Sequence, residues 1–204
     1  MPETLLPFLT ASILLTLSPG PDIIYVLMQS ICNGKKDGII TALGLVTGII
    51  IHTSLVAFGI SAIIKESETI FLIIKIAGAA YLLFLAYKIY KSDPEVSLDQ
   101  EKVSSKSFFS LYKTGFIMNV LNPKVTIFFL AFFPGFLWEP EGNTIVQFYL
   151  LGGIFMLQAF LIFSVVALLA GKIAFFLKQK NQSGTVFKWV QIIVFIGISI
   201  MILV

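Results

Sequence analysis

Leu17-Ser18-Pro19-Gly20-Pro21-Asp22 interrupts the first long apolar run of the chain, and its reading decides the fold. Proline removes a backbone donor and clashes with the preceding turn, and glycine gives up helix stability. A continuous helix does not tolerate such a stretch at its centre. If the run crosses a bilayer, Asp22 lies near the midplane, where a charge costs at least ~2.5–3.5 kcal/mol. Irregular backbone at that depth persists only where protein buries it or where it lines a water-filled cavity. The bland alternative is a proline kink satisfied by neighbouring helices. A second, matching interruption later in the chain favours the cavity.

The composition is that of a membrane protein. Of 204 residues, 57% are hydrophobic and 12% charged, against about 25% charged in soluble domains. All 14 basic residues are lysines. The lack of arginine argues against phosphate or nucleic-acid recognition, which favours the guanidinium fork. Cys32 is the only cysteine, which excludes an intrachain disulfide, a CxxC redox site and a cysteine-rich metal site. Met1-Pro2-Glu3-Thr4 has no basic n-region, so the first apolar run is expected to stay in the mature protein rather than act as a signal peptide.

Spanning a ~30 Å hydrocarbon core takes about 20 apolar residues. Six segments meet that test: 5–31, 39–64, 69–91, 109–137, 145–176 and 184–204, the last the shortest. The links after spans one, three and five, with their flanks, hold eleven lysines, and the two other links hold only Lys65. The positive-inside rule then predicts a multi-pass plasma-membrane protein with both termini outside and the lysine-rich links in the cytoplasm.

Ser92 to Ser107 is the only polar linker of any length, and it divides the chain into halves 1–91 and 108–204. Three spans in each half insert with opposite orientation, the inverted-repeat arrangement of many secondary transporters. Leu17-Ser18-Pro19 superimposes on Leu121-Asn122-Pro123 at an offset of 104 residues. The expected fold is an all-α integral membrane protein of six spans, two inverted three-helix repeats within one membrane domain, with spans one and four broken at proline.

Serine and asparagine are good N-caps, and proline suits the first helical position. Ser18-Pro19 (or Gly20-Pro21) and Asn122-Pro123 each read as a fresh helix start in mid-membrane, presenting free N–H groups. Two such ends favour an anionic group such as a carboxylate. Asp22 follows one break and Lys124 the other. Each is costly alone in lipid, but both become tolerable as a pair or when shared with a zwitterion. An α-amino acid carries an ammonium for Asp22 and a carboxylate for Lys124. A purely structural Asp22–Lys124 pair is the alternative, and a transporter gate can be both.

His52, the only histidine, falls in the middle of span two. It suits either proton coupling or one interhelical hydrogen bond. Lys75 is explained by snorkelling. Thr47, Thr53, Tyr81 and Gln158 are expected to serve helix packing. Gly44-Leu45-Val46-Thr47-Gly48 is a GxxxG that would allow close helix approach, within the chain or in a homo-oligomer. Trp138 and Trp189 fall near predicted interfaces, as aromatic belts do. The 20 phenylalanines are expected to face lipid or fill the core.

Taken together, Ser18-Pro19-Gly20-Pro21-Asp22, Gly34-Lys35-Lys36-Asp37-Gly38, Ala42-Leu43-Gly44 with Gly48, and His52 resemble the first half of the LysE/RhtB-type amino-acid exporters. Gly78-Ala79-Ala80-Tyr81-Leu82 is similar to that family's third-span stretch, and Asn122-Pro123-Lys124 to its fourth-span signature. The resemblance covers about residues 8–200. It implies proton-driven export of an amino acid or similar small solute, with Pro19, Gly20, Pro21, Asp22, Asn122, Pro123 and Lys124 forming the central site. The chain departs from the family at Pro134-Gly135-Phe136, where Pro-Gln-Phe is usual, and in its early-ending last span.

Two other classes fit less well. One is a carrier of the same architecture for a different small solute or a metal ion; a metal would want clustered carboxylates, histidines or thiolates, and one Asp, one His and one Cys on separate segments are thin for that. An enzyme would need a Ser/His/Asp set, an HExxH or a cysteine pair, and none is present. No cofactor is expected.

Overall fold

Two X-Pro steps end the first helix. The residue before a proline is pushed out of helical conformation, and Gly20, ahead of Pro21, is fully extended at φ −170°, ψ 178°. In this computed structural model, which describes residues 2–60, 67–92, 107–179 and 183–203, α1 (Pro2–Leu17) therefore stops and α2 (Pro21–Asn33) starts afresh. The two meet at a bend of 55°. α2 ends at Gly34, whose φ of +96° is open to glycine alone without strain. α3 (Lys35–Leu55) follows at once and finishes in a π-helical turn, Val56–Ile60.

α4 (Glu68–Lys91) is capped by Ser67, whose Oγ accepts the Ile70 N–H at 3.3 Å. The linker 92–107 lies outside the described residues except for Ser92 and Ser107. α5 (Phe108–Val120) begins behind a second serine cap, Ser107. Asn122-Pro123 then breaks the run: Asn122 Oδ1 accepts the Lys124 N–H at 3.0 Å, and α6 (Pro123–Ile127) sets off at 48° to α5. It runs on through a π turn (Phe128–Phe132) and a 3-10 turn (Phe133–Phe136). α7 (Thr144–Gln179) and α8 (Ser183–Leu203) complete the described chain.

The described residues are thus all-helical, with eight α-helices. Three helices, in the ranges Lys35–Gly59, Thr69–Lys91 and Thr144–Phe175, are long and apolar enough to cross a membrane. The count is five if each bent pair is one span, and the apolar stretch Lys188–Leu203 is shorter. α4 shows the outside of such a bundle: Leu72, Ile73 and Phe84 are all more than half exposed. In water that surface would be a liability; in lipid it costs nothing.

Helices of the two halves interleave. α3 packs against α5 and α7, and α4 against α8. The α3–α5 seam is backbone against backbone, since a Cβ on Gly44 would meet the Tyr112 carbonyl and one on Gly115 the Thr41 carbonyl. The GxxxG of α3 is therefore used inside the chain. The Thr47 and Tyr112 hydroxyls are hydrogen-bonded across the same seam at 2.9 Å. In the fourth run Phe128, Phe129, Phe132, Phe133 and Phe136 fill the core, whereas Phe108 and Phe109 at its start are more than half exposed. Phe128, Phe129 and Phe133 are fully buried and interlock with Phe8, Phe148 and Phe155.

Candidate functional site

A continuous helix would give the Ser18 carbonyl to the Asp22 N–H. The break frees it, and Lys124 Nζ, from the other half of the chain, donates to it at 2.9 Å. Gly20 leaves space beside that ammonium, since a Cβ there would lie 3.5 Å from Nζ. The ammonium also sits 5.8 Å from the centre of the Phe195 ring on α8, within cation–π range.

Asp22, in the first turn of α2, is buried at 8% exposure. Its carboxylate accepts side-chain hydrogen bonds from Asn122 and Asn119 and faces Lys124 and, farther off, His52. Its Oδ1 has no hydrogen-bond partner, and neither do Ser18 Oγ and Asn119 Oδ1. Each unpaired buried polar atom costs roughly 1–3 kcal/mol; two of these three, the Asp22 and Asn119 oxygens, only accept, while the Ser18 hydroxyl can also donate. Asp22 and Lys124 do not form a direct ion pair. They line one cavity between the two breaks, together with Ser18, Gly20, Asn119 and Asn122.

The opposite wall comes mostly from α7, where Phe155, Ala159 and Phe163 recur every four residues and so share a face. The cavity volume is about 20 Å³, room for about one water. This conformation is closed around its charges. A larger cavity of about 220 Å³ lies between α4, α8 and the irregular end of the fourth run. Its lining includes half-buried Lys75 among Phe71, Phe132 and Phe136, with no carboxylate beside it.

Of the residues singled out from the sequence, Ser18, Gly20, Asp22, Asn122 and Lys124 line the central cavity. Pro19, Pro21 and Pro123 shape the two breaks without lining it. His52 stands one layer behind: its Nε2 lies 3.1 Å from the Asn119 carbonyl. A carbonyl only accepts, so Nε2 carries the hydrogen. Gln158 Nε2 donates to Thr16 Oγ1 at 3.1 Å, tying α7 to α1. Among the described residues no three of His, Cys, Asp and Glu cluster as a metal site would.

Asn119 and Thr16 were not singled out, yet both line the cavity. Asn119 also joins His52, through its carbonyl, to the neighbourhood of Asp22, through its side chain. A signal existed: an asparagine inside the apolar run 109–121, three residues before Asn122, is costly in lipid unless it has work to do.

The profile of the LysE type translocator family matches residues 13–204. The homoserine/homoserine lactone efflux protein of Salmonella typhimurium is 32% identical over 175 residues, which cover 86% of this chain and 84% of that protein. Its counterpart in Salmonella typhi is equally similar. The uncharacterized membrane protein YrhP of Bacillus subtilis is 32% identical over 169 residues, covering 79% of this chain and 80% of that protein. No solved structure matches the chain. The two bent helix pairs and the charges between them thus belong to a multi-pass membrane translocator rather than an enzyme: the chain is a member of the LysE-type translocator family.

Proposed function

We propose that this chain exports an amino acid or closely related small zwitterion across the plasma membrane by proton antiport, with Ser18, Gly20, Asp22, Asn122 and Lys124 as the solute site. The observation that carries the reading is that Asp22 and Lys124, 102 positions apart, line one buried cavity where two broken spans meet. The similar efflux proteins of Salmonella, named for homoserine and its lactone, point to the same solute class.

The architecture behind this reading is six spans in two inverted repeats, residues 1–91 and 108–204, joined by the polar linker 92–107. The matching bends of 55° and 48° support it. Alternating access would rock the halves about the cavity, opening it to one side at a time. Antiport then follows from a single carboxylate with two exclusive occupants. Facing the cytoplasm, Asp22 exchanges its proton for the solute ammonium; facing outward, it releases the ammonium and takes a proton for the return. In this scheme the exchanged proton is assigned to Asp22, and His52 holds the Asn119 carbonyl through its Nε2–H.

The test is Asp22→Asn in everted vesicles. Asparagine keeps the size and loses the charge, so solute accumulation driven by the proton gradient should vanish while the protein still inserts. Proton-dependent transport at the wild-type rate would end the scheme. The metal-ion alternative finds no cluster of ligands among the described residues to support it.

A further inference from the structure

The larger cavity, about 220 Å³, lies at the end of the bundle where α4 begins and where α8 and the fourth run end. The 3-10 turn Phe133–Phe136 is drawn toward α1, where Phe133 and Phe136 pack edge-on against Phe8 at 5.6 and 5.3 Å. A gap is left on its other side, against α4 and α8. Apart from Lys75 the lining is apolar, with Phe71, Phe132, Phe136, Met201 and Ile202. An apolar cavity of about 150 Å³ stays dry and takes a benzene-sized molecule, so this one has room for a length of hydrocarbon.

Lys75 follows Glu68, the first residue of α4, by seven positions, about 10 Å of helix. A helical lysine leans toward the start of its helix, and its stem can carry the ammonium to headgroup depth. Among the described residues no hydrogen bond, ion pair or aromatic ring meets it. Asp22 and Lys124, by contrast, are held by protein groups. Snorkelling accounts for the reach of Lys75 but not for the apolar space beside it. Leu72 and Ile73 on α4 and Met201 on α8 are exposed nearby, so lipid chains are in supply where the cavity lies.

We infer that this cavity binds one anionic phospholipid, its phosphate on the Lys75 ammonium and part of one acyl chain among Phe71, Phe132, Phe136 and Ile202. A single phosphodiester asks for a point charge, which lysine supplies, rather than for the guanidinium fork. The inference does not depend on which solute the chain moves.

The experiment is native mass spectrometry of the intact chain, stripped of lipid in detergent and titrated with dioleoyl phosphatidylglycerol or dioleoyl phosphatidylethanolamine. The first phosphatidylglycerol should bind tighter by at least about fivefold, the worth of one lysine facing an anionic lipid; equal affinities overturn the inference. Lys75→Gln should remove the preference and leave phosphatidylethanolamine binding as it was, and a preference that survives overturns the role of Lys75. Lys88→Gln, toward the other end of α4, should keep the preference, and its loss there would move the site to that end. Gly135 also lines the cavity, has no atom within 4 Å of its Cβ position and no positive φ. Gly135→Leu should therefore fill the space and weaken both lipids, and unchanged binding overturns the cavity as the seat of the chain. Oleate that displaces phosphatidylglycerol at lower concentration than the phospholipid itself overturns the phospholipid in favour of a free fatty acid.

Discussion

Lys124 Nζ and the Ser18 carbonyl are joined at 2.9 Å across the two halves of the chain. The bond exists because a proline step took the carbonyl's usual helical donor away. It couples the backbone of one break to the side chain of the other, and anything that draws the ammonium off Ser18 loosens the two breaks together. Lys124→Met keeps the length of the side chain and loses the bond. A hydrogen bond to a charged group is worth roughly 1.5–3 kcal/mol, so transport measured in everted vesicles should fall at least about tenfold. Unchanged rates would mean that the tether is idle.

His52 separates two roles cleanly. His52→Gln retains an N–H for the Asn119 carbonyl but cannot titrate, whereas His52→Leu removes the donor. The glutamine variant should keep proton-driven transport within about threefold. The leucine variant removes one of two donors to the Asn119 carbonyl, which keeps the Asn122 N–H at 3.0 Å, and loss of that hydrogen bond, worth roughly 0.5–1.5 kcal/mol, should lower the unfolding temperature in detergent. Loss of proton coupling in the glutamine variant, with folding intact, would transfer the proton to His52.

The α3–α5 seam predicts a sharp contrast among glycines. Gly44→Val drives a side chain into the Tyr112 backbone, and overpacking of this kind costs about 1–3 kcal/mol or more. Gly153, with no neighbour within 4 Å of its Cβ position, should accept alanine and gain up to about 1 kcal/mol of helix propensity. Size-exclusion profiles after heating would rank the two. Similar profiles would mean that the seam is not tight.

Cys32 is exposed near the end of α2 and is the only thiol in the chain. If the lysine-rich links are cytoplasmic, as the positive-inside rule predicts, a membrane-impermeant maleimide should label it in everted vesicles and not in intact cells. The reverse pattern would invert the orientation proposed here.

The breaks themselves were legible because proline and glycine act locally. Residues 18–21 and 122–123 cannot continue a helix whatever surrounds them, and the helix ends fall where that rule puts them. The π turn at Phe128–Phe132 was not legible. It contains neither proline nor glycine, and it packs against a distant helix, with Ala131 at Gly78 of α4. The roles of the phenylalanines were lost for the same reason, since lipid and protein interior ask for the same side chain. The partner of the GxxxG was also hidden, because small residues advertise a close approach without naming what approaches. Asp22 and Lys124 stood out as charges, but only the fold revealed that Lys124 is held by the Ser18 carbonyl and Asp22 by two asparagines.

The interleaving of α3 with α5 and α7, and of α4 with α8, has a consequence for how the molecule can be assembled. Most of each half's neighbours belong to the other half, so neither piece has much to hold it together by itself. Two separately expressed polypeptides, cut within 93–106, should therefore find each other in the bilayer and restore activity when produced in the same cell, and each should be degraded when made alone.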